Sequence, residues 1–178
     1  MPKMLQMITA KSSKIELIRT FGGLTLKNIV ADHLPSVGNL ITKYGQSTVE
    51  NSLAVLVADL STSFDGDLNK EAIEEITIEI TASKLLRNLS LETVYLCFNE
   101  LKSADIYGKL SVNKVLKALN KQWEDYSNTV AERNYNEHLA TKFNQPRETN
   151  NERLKRLSKE LRKAQTFLEV QAKKIKIE

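Results

Sequence analysis

Hydrophobic residues recur at three- and four-residue spacing along most of this chain, which is the periodicity of amphipathic α-helices. The clearest pattern covers residues 47–62, where the apolar positions are Val49, Leu53, Leu56, Val57 and Leu60. Ser47 and Glu50 have the spacing of a capping box, so this helix is predicted to begin at Ser47. Two shorter helices are predicted over residues 25–34 and 36–44, on either side of Pro35.

The second half of the chain continues the helical pattern. Residues 69–87 favour a helix because their flanks are strong helix formers, although the segment ITIEIT also alternates with period two and leaves a strand as the alternative. Ser90 is predicted to cap the next helix, and Ser111 a long helix that reaches residue 143. The apolar stripe of the long helix comprises Val112, Val115, Leu116, Leu119, Trp123, Tyr126 and Val130.

These patterns predict an all-α protein, and the chain has only 6 Gly and 3 Pro. Residues 1–24 form an N-terminal segment of uncertain order, 25–143 a compact helical body, 144–150 a linker and 151–178 a basic C-terminal helix. Leucines Leu154, Leu157, Leu161 and Leu168 of the last helix lie at heptad spacing. That helix is expected to dock on the body, to pair with another copy or to stay partly frayed.

Charge is unevenly distributed. Residues 151–178 hold nine Lys or Arg and four Glu, whereas the rest of the chain sums to −1 within a total of +4. A segregated basic helix suggests an acidic partner, either DNA phosphates or an acidic protein surface, and the alternative is a helix face that is only solvated. The candidate contacts are Arg153, Lys155, Arg156, Lys159, Arg162 and Lys163.

A second candidate contact is the corner at Tyr107, Gly108 and Lys109, which lysines surround. It lacks the second glycine and the hydroxyl residue of a phosphate-binding loop, so nucleotide binding is rejected there. Either it is only a helix junction, or its aromatic ring and lysines hold a nucleic-acid strand.

No residue pattern predicts a catalytic centre, a cofactor or a metal site. The segment from Asp65 lacks the glycine and glutamate that a calcium loop requires, so helix capping explains it better. Cys97 is predicted to be a small core residue. The glutamates of residues 71–79 form an acidic face on one helix, which either faces solvent or receives the basic helix of another copy. The single cysteine and the lack of an apolar run of about 20 residues favour a cytoplasmic protein without a membrane span.

The segment 89–133 contains a helix with the sequence LSLETVYLCFNEL, a YGK corner and a helix with the sequence VLKALNKQWEDY, followed by Arg133. In these features it resembles an uncharacterised family of small helical proteins carried by Bacteroidetes genomes, their plasmids and their phages. The layout is also similar to phage helicase loaders, which are non-enzymatic. This resemblance implies a DNA-replication accessory that contacts DNA or a replicative helicase. The alternative is a structural or scaffold protein that forms a homo-oligomer through its C-terminal helix.

Overall fold

The computed structural model describes residues 1–104, 109–144 and 150–175, and its elements confirm the all-α prediction. In chain order they are α1 (Lys3–Thr9), α2 (Lys14–Phe21), α3 (Leu26–Ala31), α4 (Val37–Tyr44), α5 (Gln46–Thr62), α6 (Lys70–Ala82), a 3-10 helix (Leu86–Asn88), α7 (Leu91–Ser103), α8 (Val112–Asn144) and α9 (Asn150–Ile175). The chain divides into two compact units, Met1–Asn134 and Tyr135–Glu178. The first unit ends at Asn134, within α8, whereas the helical body predicted from the sequence extends to residue 143.

Helix α5 lies at the centre of the first unit and packs against α1, α4, α6 and α7. Its residues Val49, Leu53, Val57 and Leu60 are fully buried, as their helical spacing predicts. A single hydrophobic core therefore joins the helices of this unit.

The N-terminal segment is part of the body, which corrects the uncertain order expected for residues 1–24. Met4 and Leu5 of α1 are fully buried in the core. The Ser13 hydroxyl accepts a hydrogen bond from the amide of Glu16, whose carboxylate accepts one from the amide of Ser13, so a complete capping box begins α2. Helices of seven and eight residues are too short for periodicity to reveal. Packing stabilises them: α1 packs against α5 and α7, and Phe21 of α2 makes an edge contact with Tyr95 of α7.

The predicted start of α5 was wrong. Gly45, not Ser47, is its N-cap, and no side chain caps that end. Gly45 also ends α4, and its φ of 86° lets the chain leave one helix and enter the next at a single residue. Ser47 lies within the first turn of α5 and is exposed.

The segment ITIEIT is helical, so the strand alternative is excluded, but α6 ends at Ala82 rather than near residue 87. Thr77 donates its hydroxyl proton to the carbonyl of Ile73 at 2.8 Å, which gives this β-branched residue a partner inside the helix. Ser83 takes an extended conformation, and its hydroxyl accepts from the amides of Leu85 and Leu86. That local bonding begins the 3-10 helix and stops α6.

Replacing Asn69 by alanine is expected to lower the free energy of unfolding by about 1 kcal/mol. The Asn69 side chain accepts from the amide of Ala72 at 2.9 Å, and this bond caps α6. Ser47→Ala is the matched control, and we expect it to change stability by less than about 0.5 kcal/mol because that hydroxyl caps nothing. Urea unfolding followed by the fluorescence of Trp123 measures both; equal losses in the two variants would contradict the assignment of the caps.

Candidate functional site

The basic residues of α9 lie on an exposed helix surface. Side chains of residues 151–163 are all exposed, including the six candidates Arg153, Lys155, Arg156, Lys159, Arg162 and Lys163. Lys155, Lys159 and Lys163 follow each other at four-residue spacing, so they lie along one side of the helix. We call this row of three lysines the lysine face.

The leucines of α9 lie on a different side. Leu154, Leu157 and Leu161 are 64%, 43% and 64% exposed, and their three- and four-residue spacing makes one apolar strip, here called the leucine face. The side chain of Leu168, the fourth predicted member, lies outside the described residues. Hydrophobic side chains in a row, exposed to this extent, mark a surface that binds another surface.

The two faces of α9 are nearly opposite. With a turn of about 100° per residue, the mean direction of the lysine face differs from that of the leucine face by close to half a turn. The helix can therefore pair through its leucines while its lysines stay open to a second partner. Heptad spacing in the sequence indicated the leucine face, but the exposure of both faces is visible only in the structure.

The corner is described only in part. Tyr107 and Gly108 lie outside the described residues, whereas Lys109 is exposed and its carbonyl accepts a hydrogen bond from Nζ of Lys114 at 2.7 Å. The corner as a second contact therefore stays a prediction.

Lys102, which the sequence places among the lysines around the corner, instead joins an ion triad in the body. Its Nζ lies 2.5 Å from one carboxylate oxygen of Asp59, and Nζ of Lys14 lies 2.8 Å from the other. The three residues line a pocket of about 190 Å³ that also includes Tyr95. Nothing in the sequence indicated this triad, because its members are separated by tens of residues and only the packing of α2, α5 and α7 brings them together.

Burial alone would raise the pKa of Asp59, but hydrogen bonds from Lys102 and Lys14 outweigh it and hold that pKa below its usual value. A carboxylate of this kind stabilises the fold fully above the unfolded pKa, whose ordinary value is 3.8, and the contribution is lost as pH falls through the lower folded pKa. The triad is thus an electrostatic link between three helices at neutral pH.

Asp59→Asn is expected to destabilise the protein at neutral pH and to make its stability less sensitive to acid below the ordinary pKa of 3.8. Urea unfolding at a series of pH values measures this change. Glu74→Gln is the control, because Glu74 pairs with Lys70 at 3.7 Å on an exposed surface, where such a pair contributes little. If the free energy of unfolding changed with pH in parallel for Asp59→Asn and the unaltered protein, the ion triad would not be the source of the stabilisation.

The residues that carry the family resemblance have structural partners in the body. Arg133 donates from Nη1 to the carbonyl of Val30 at 2.5 Å, and its Nη2 lies 2.9 Å from Nε2 of His33. The rings of Trp123 and Tyr126 are 6.0 Å apart and both pack against the core, as predicted. Arg133 thus ties α8 to α3, an interaction that sequence spacing did not reveal.

The residues considered for chemistry occupy ordinary structural positions. Cys97 is buried, as predicted, and burial together with the charge of Glu100 raises its pKa to about 12. Within the described ranges, no three His, Cys, Asp or Glu side chains are grouped so that they could hold a metal ion. Nor does any helix in those ranges combine the length and apolarity that a bilayer span requires. Asn69 caps α6, which confirms capping as the role of the segment after Asp65.

No family model matches this chain, and neither a curated protein nor a solved structure matches it. The class of the protein is therefore defined by its architecture: it is an all-α protein with a basic C-terminal helix. Function has to be inferred from the charge and exposure of its surfaces.

Proposed function

We propose that this protein is a non-enzymatic adaptor whose helix α9 binds an acidic partner through the lysine face. The partner is single-stranded DNA, and the protein acts as a DNA-replication accessory of a phage or mobile element, similar to a helicase loader. The observation that carries the proposal is the lysine face, three cations at four-residue spacing on an exposed helix. The phage or mobile-element setting comes from the resemblance of the segment 89–133.

The charge distribution supports this choice of partner. The net charge of +4 arises from residues 151–178, so a polyanion is attracted to α9 rather than to the body. A strand of phosphates matches such a row without requiring a particular base sequence, because phosphate contacts depend on charge. An acidic surface of a replicative helicase would present similar charge to the same face.

Fluorescence anisotropy of a labelled single strand with the full chain, over a series of salt concentrations, tests the proposal. We expect the logarithm of the binding constant to fall linearly with the logarithm of salt concentration, with a slope of about −0.7 for each phosphate contacted. Absence of binding at low salt would exclude DNA as the partner and leave the acidic protein surface to be tested by the same titration with purified helicase.

The leucine face favours a second candidate function, self-association in a structural or scaffold protein. Leu154, Leu157 and Leu161 have the spacing of a coiled-coil seam and are exposed in the single chain. A second copy of α9 would bury this seam with matching spacing. Because the lysine face points away from the seam, such a pair could still bind an acidic partner.

Sedimentation of the full chain tests the second candidate. We expect an oligomer that Leu157→Lys together with Leu161→Lys converts to monomer, because two charges in a coiled-coil seam leave it without apolar contact. Ile78→Lys together with Leu85→Lys is the matched control, since both residues are exposed apolar side chains of the body. A monomeric unaltered protein at high concentration, or an oligomer that resists the leucine changes, would exclude this function.

A further inference from the structure

A groove of about 230 Å³ between α7 and α8 is lined by a glutamine whose amide nitrogen has no hydrogen-bond partner among the described residues. Gln122 lines it and is only 4% exposed, while the side chains of Glu100, Lys121 and Asp125 lie on the exposed part of its lining. Leu101 and Ala118 add apolar surface. All of these residues belong to the unit Met1–Asn134.

The Gln122 amide is the strongest sign that the groove receives a ligand. Its Nε2 is buried and has no hydrogen-bond acceptor among the described residues. Buried amide donors are almost always satisfied, so one that is not calls for a partner. Gln122 is one of the residues that line the groove, so a ligand bound there is placed to supply the missing acceptor. The ligand must therefore offer an acceptor.

The Glu100 carboxylate calls for the opposite kind of group. Burial and the nearby charge of Asp125 raise its pKa, while Lys121 acts in the other direction. The Glu100 side chain is exposed on the lining of the groove, where its two carboxylate oxygens accept hydrogen bonds from a ligand. The ligand must therefore present donors on one part of its edge and an acceptor on a neighbouring part.

The size of the groove limits the ligand further. Its volume is below the roughly 300–1,000 Å³ of most cofactor and drug-sized pockets. A water molecule occupies about 30 Å³ of the liquid, so the groove has the volume of several waters. That is room for one ring system or one side chain. The apolar surfaces of Leu101 and Ala118 suit the face of a flat ring.

We propose that this groove binds a guanine base, with Glu100 accepting hydrogen bonds from its N1–H and N2–H groups and Gln122 donating to its O6. Guanine carries two donors beside one acceptor along its Watson–Crick edge, which is the complement of a carboxylate beside an amide donor. Adenine presents one donor beside a ring acceptor, and thymine a single donor between two acceptors, so neither gives the carboxylate two donors. The inference rests on the proposed function in taking a nucleic acid as the source of the base.

Titration of the full chain with the nucleoside guanosine tests the groove without phosphates, and so without α9. The readout is the side-chain amide resonance of Gln122 in a nitrogen–proton correlation spectrum, which moves when the amide gains an acceptor. We expect guanosine to bind about tenfold or more tightly than adenosine, because adenosine lacks the paired donors. Inosine, which lacks the N2 amino group, should fall between them.

Glu100→Gln supplies the mutational test, because this exposed change keeps the shape of the side chain and removes its charge. We expect it to weaken guanosine about tenfold or more. Glu124→Gln, an exposed carboxylate of α8 outside the groove, is the control and should leave binding unchanged. Gln122→Met should also weaken guanosine binding, because it removes the donor to O6, whereas the preference over adenosine that Glu100 provides should remain.

The results separate this inference from the function proposed for α9. Guanosine binding with loss of affinity in Glu100→Gln supports the guanine site whether or not DNA binds. Equal binding of guanosine and adenosine, an unmoved Gln122 resonance, or a response only to a carboxamide such as N-acetylglutamine amide would overturn it. Salt-dependent DNA binding without any guanosine response would keep α9 as the nucleic-acid contact and exclude the groove as a guanine site.

Discussion

Replacing Lys155, Lys159 and Lys163 by glutamine is expected to lower the affinity for single-stranded DNA on the order of 100-fold at about 50 mM salt. The same change should make the salt slope less negative by about 2, since each lost phosphate contact accounts for about 0.7. Glutamine is a good helix former, so α9 keeps its structure and its leucine face. Loss of charge is then the cause of any loss of binding.

A matched control separates the lysine face from the charge of the whole protein. Lys3, Lys27 and Lys84 are exposed lysines of the body, and their replacement by glutamine changes the net charge by the same amount. We expect this control to keep most of the affinity and nearly the whole salt slope, because a screened long-range charge contributes far less than a direct phosphate contact. Equal losses in the two triple variants would show that α9 is not the contact.

Phe98→Ala is expected to lower the free energy of unfolding by about 3–5 kcal/mol, a large part of the stability of a typical domain. Phe98 lies on α7, is 1% exposed and belongs to the core that joins α7 to α5. Removing its ring leaves a cavity that close-packed neighbours cannot fill. Urea unfolding followed through Trp123, the chain's one tryptophan, measures the loss in the body.

Phe167→Ala removes the same atoms from an exposed position. Phe167 lies on α9 and is 63% exposed, so its loss should change the unfolding of the body by less than about 0.5 kcal/mol. Similar losses for Phe98→Ala and Phe167→Ala would mean that the core is not where the structure places it.

Long helices were predictable because each repeats its own pattern many times. The apolar positions of α5 and α8 recur over several turns, and Val115 and Leu119 are buried as that pattern indicates. Short helices were not predictable. The buried residues of α1 are only Met4, Leu5 and Ile8, and although their spacing is helical, a single repeat is too short to establish a period. The start of α5 was missed because a serine and a glutamate at capping-box spacing suggest a cap wherever they occur, whereas Gly45 decides the turn through its positive φ.

The sequence of this protein by itself determined the helical class, the basic character of the last helix and its heptad leucines, because helix periodicity and charge are local properties of the chain. Tertiary structure alone decided that Lys102 meets Asp59 and that Gln122 is buried in a groove it shares with Glu100, with no acceptor for its Nε2 among the described residues. The contact between Lys102 and Asp59 joins helices that are distant in sequence. The burial of Gln122 depends on which helix faces pack together. Neither is encoded in the spacing of residues along one helix.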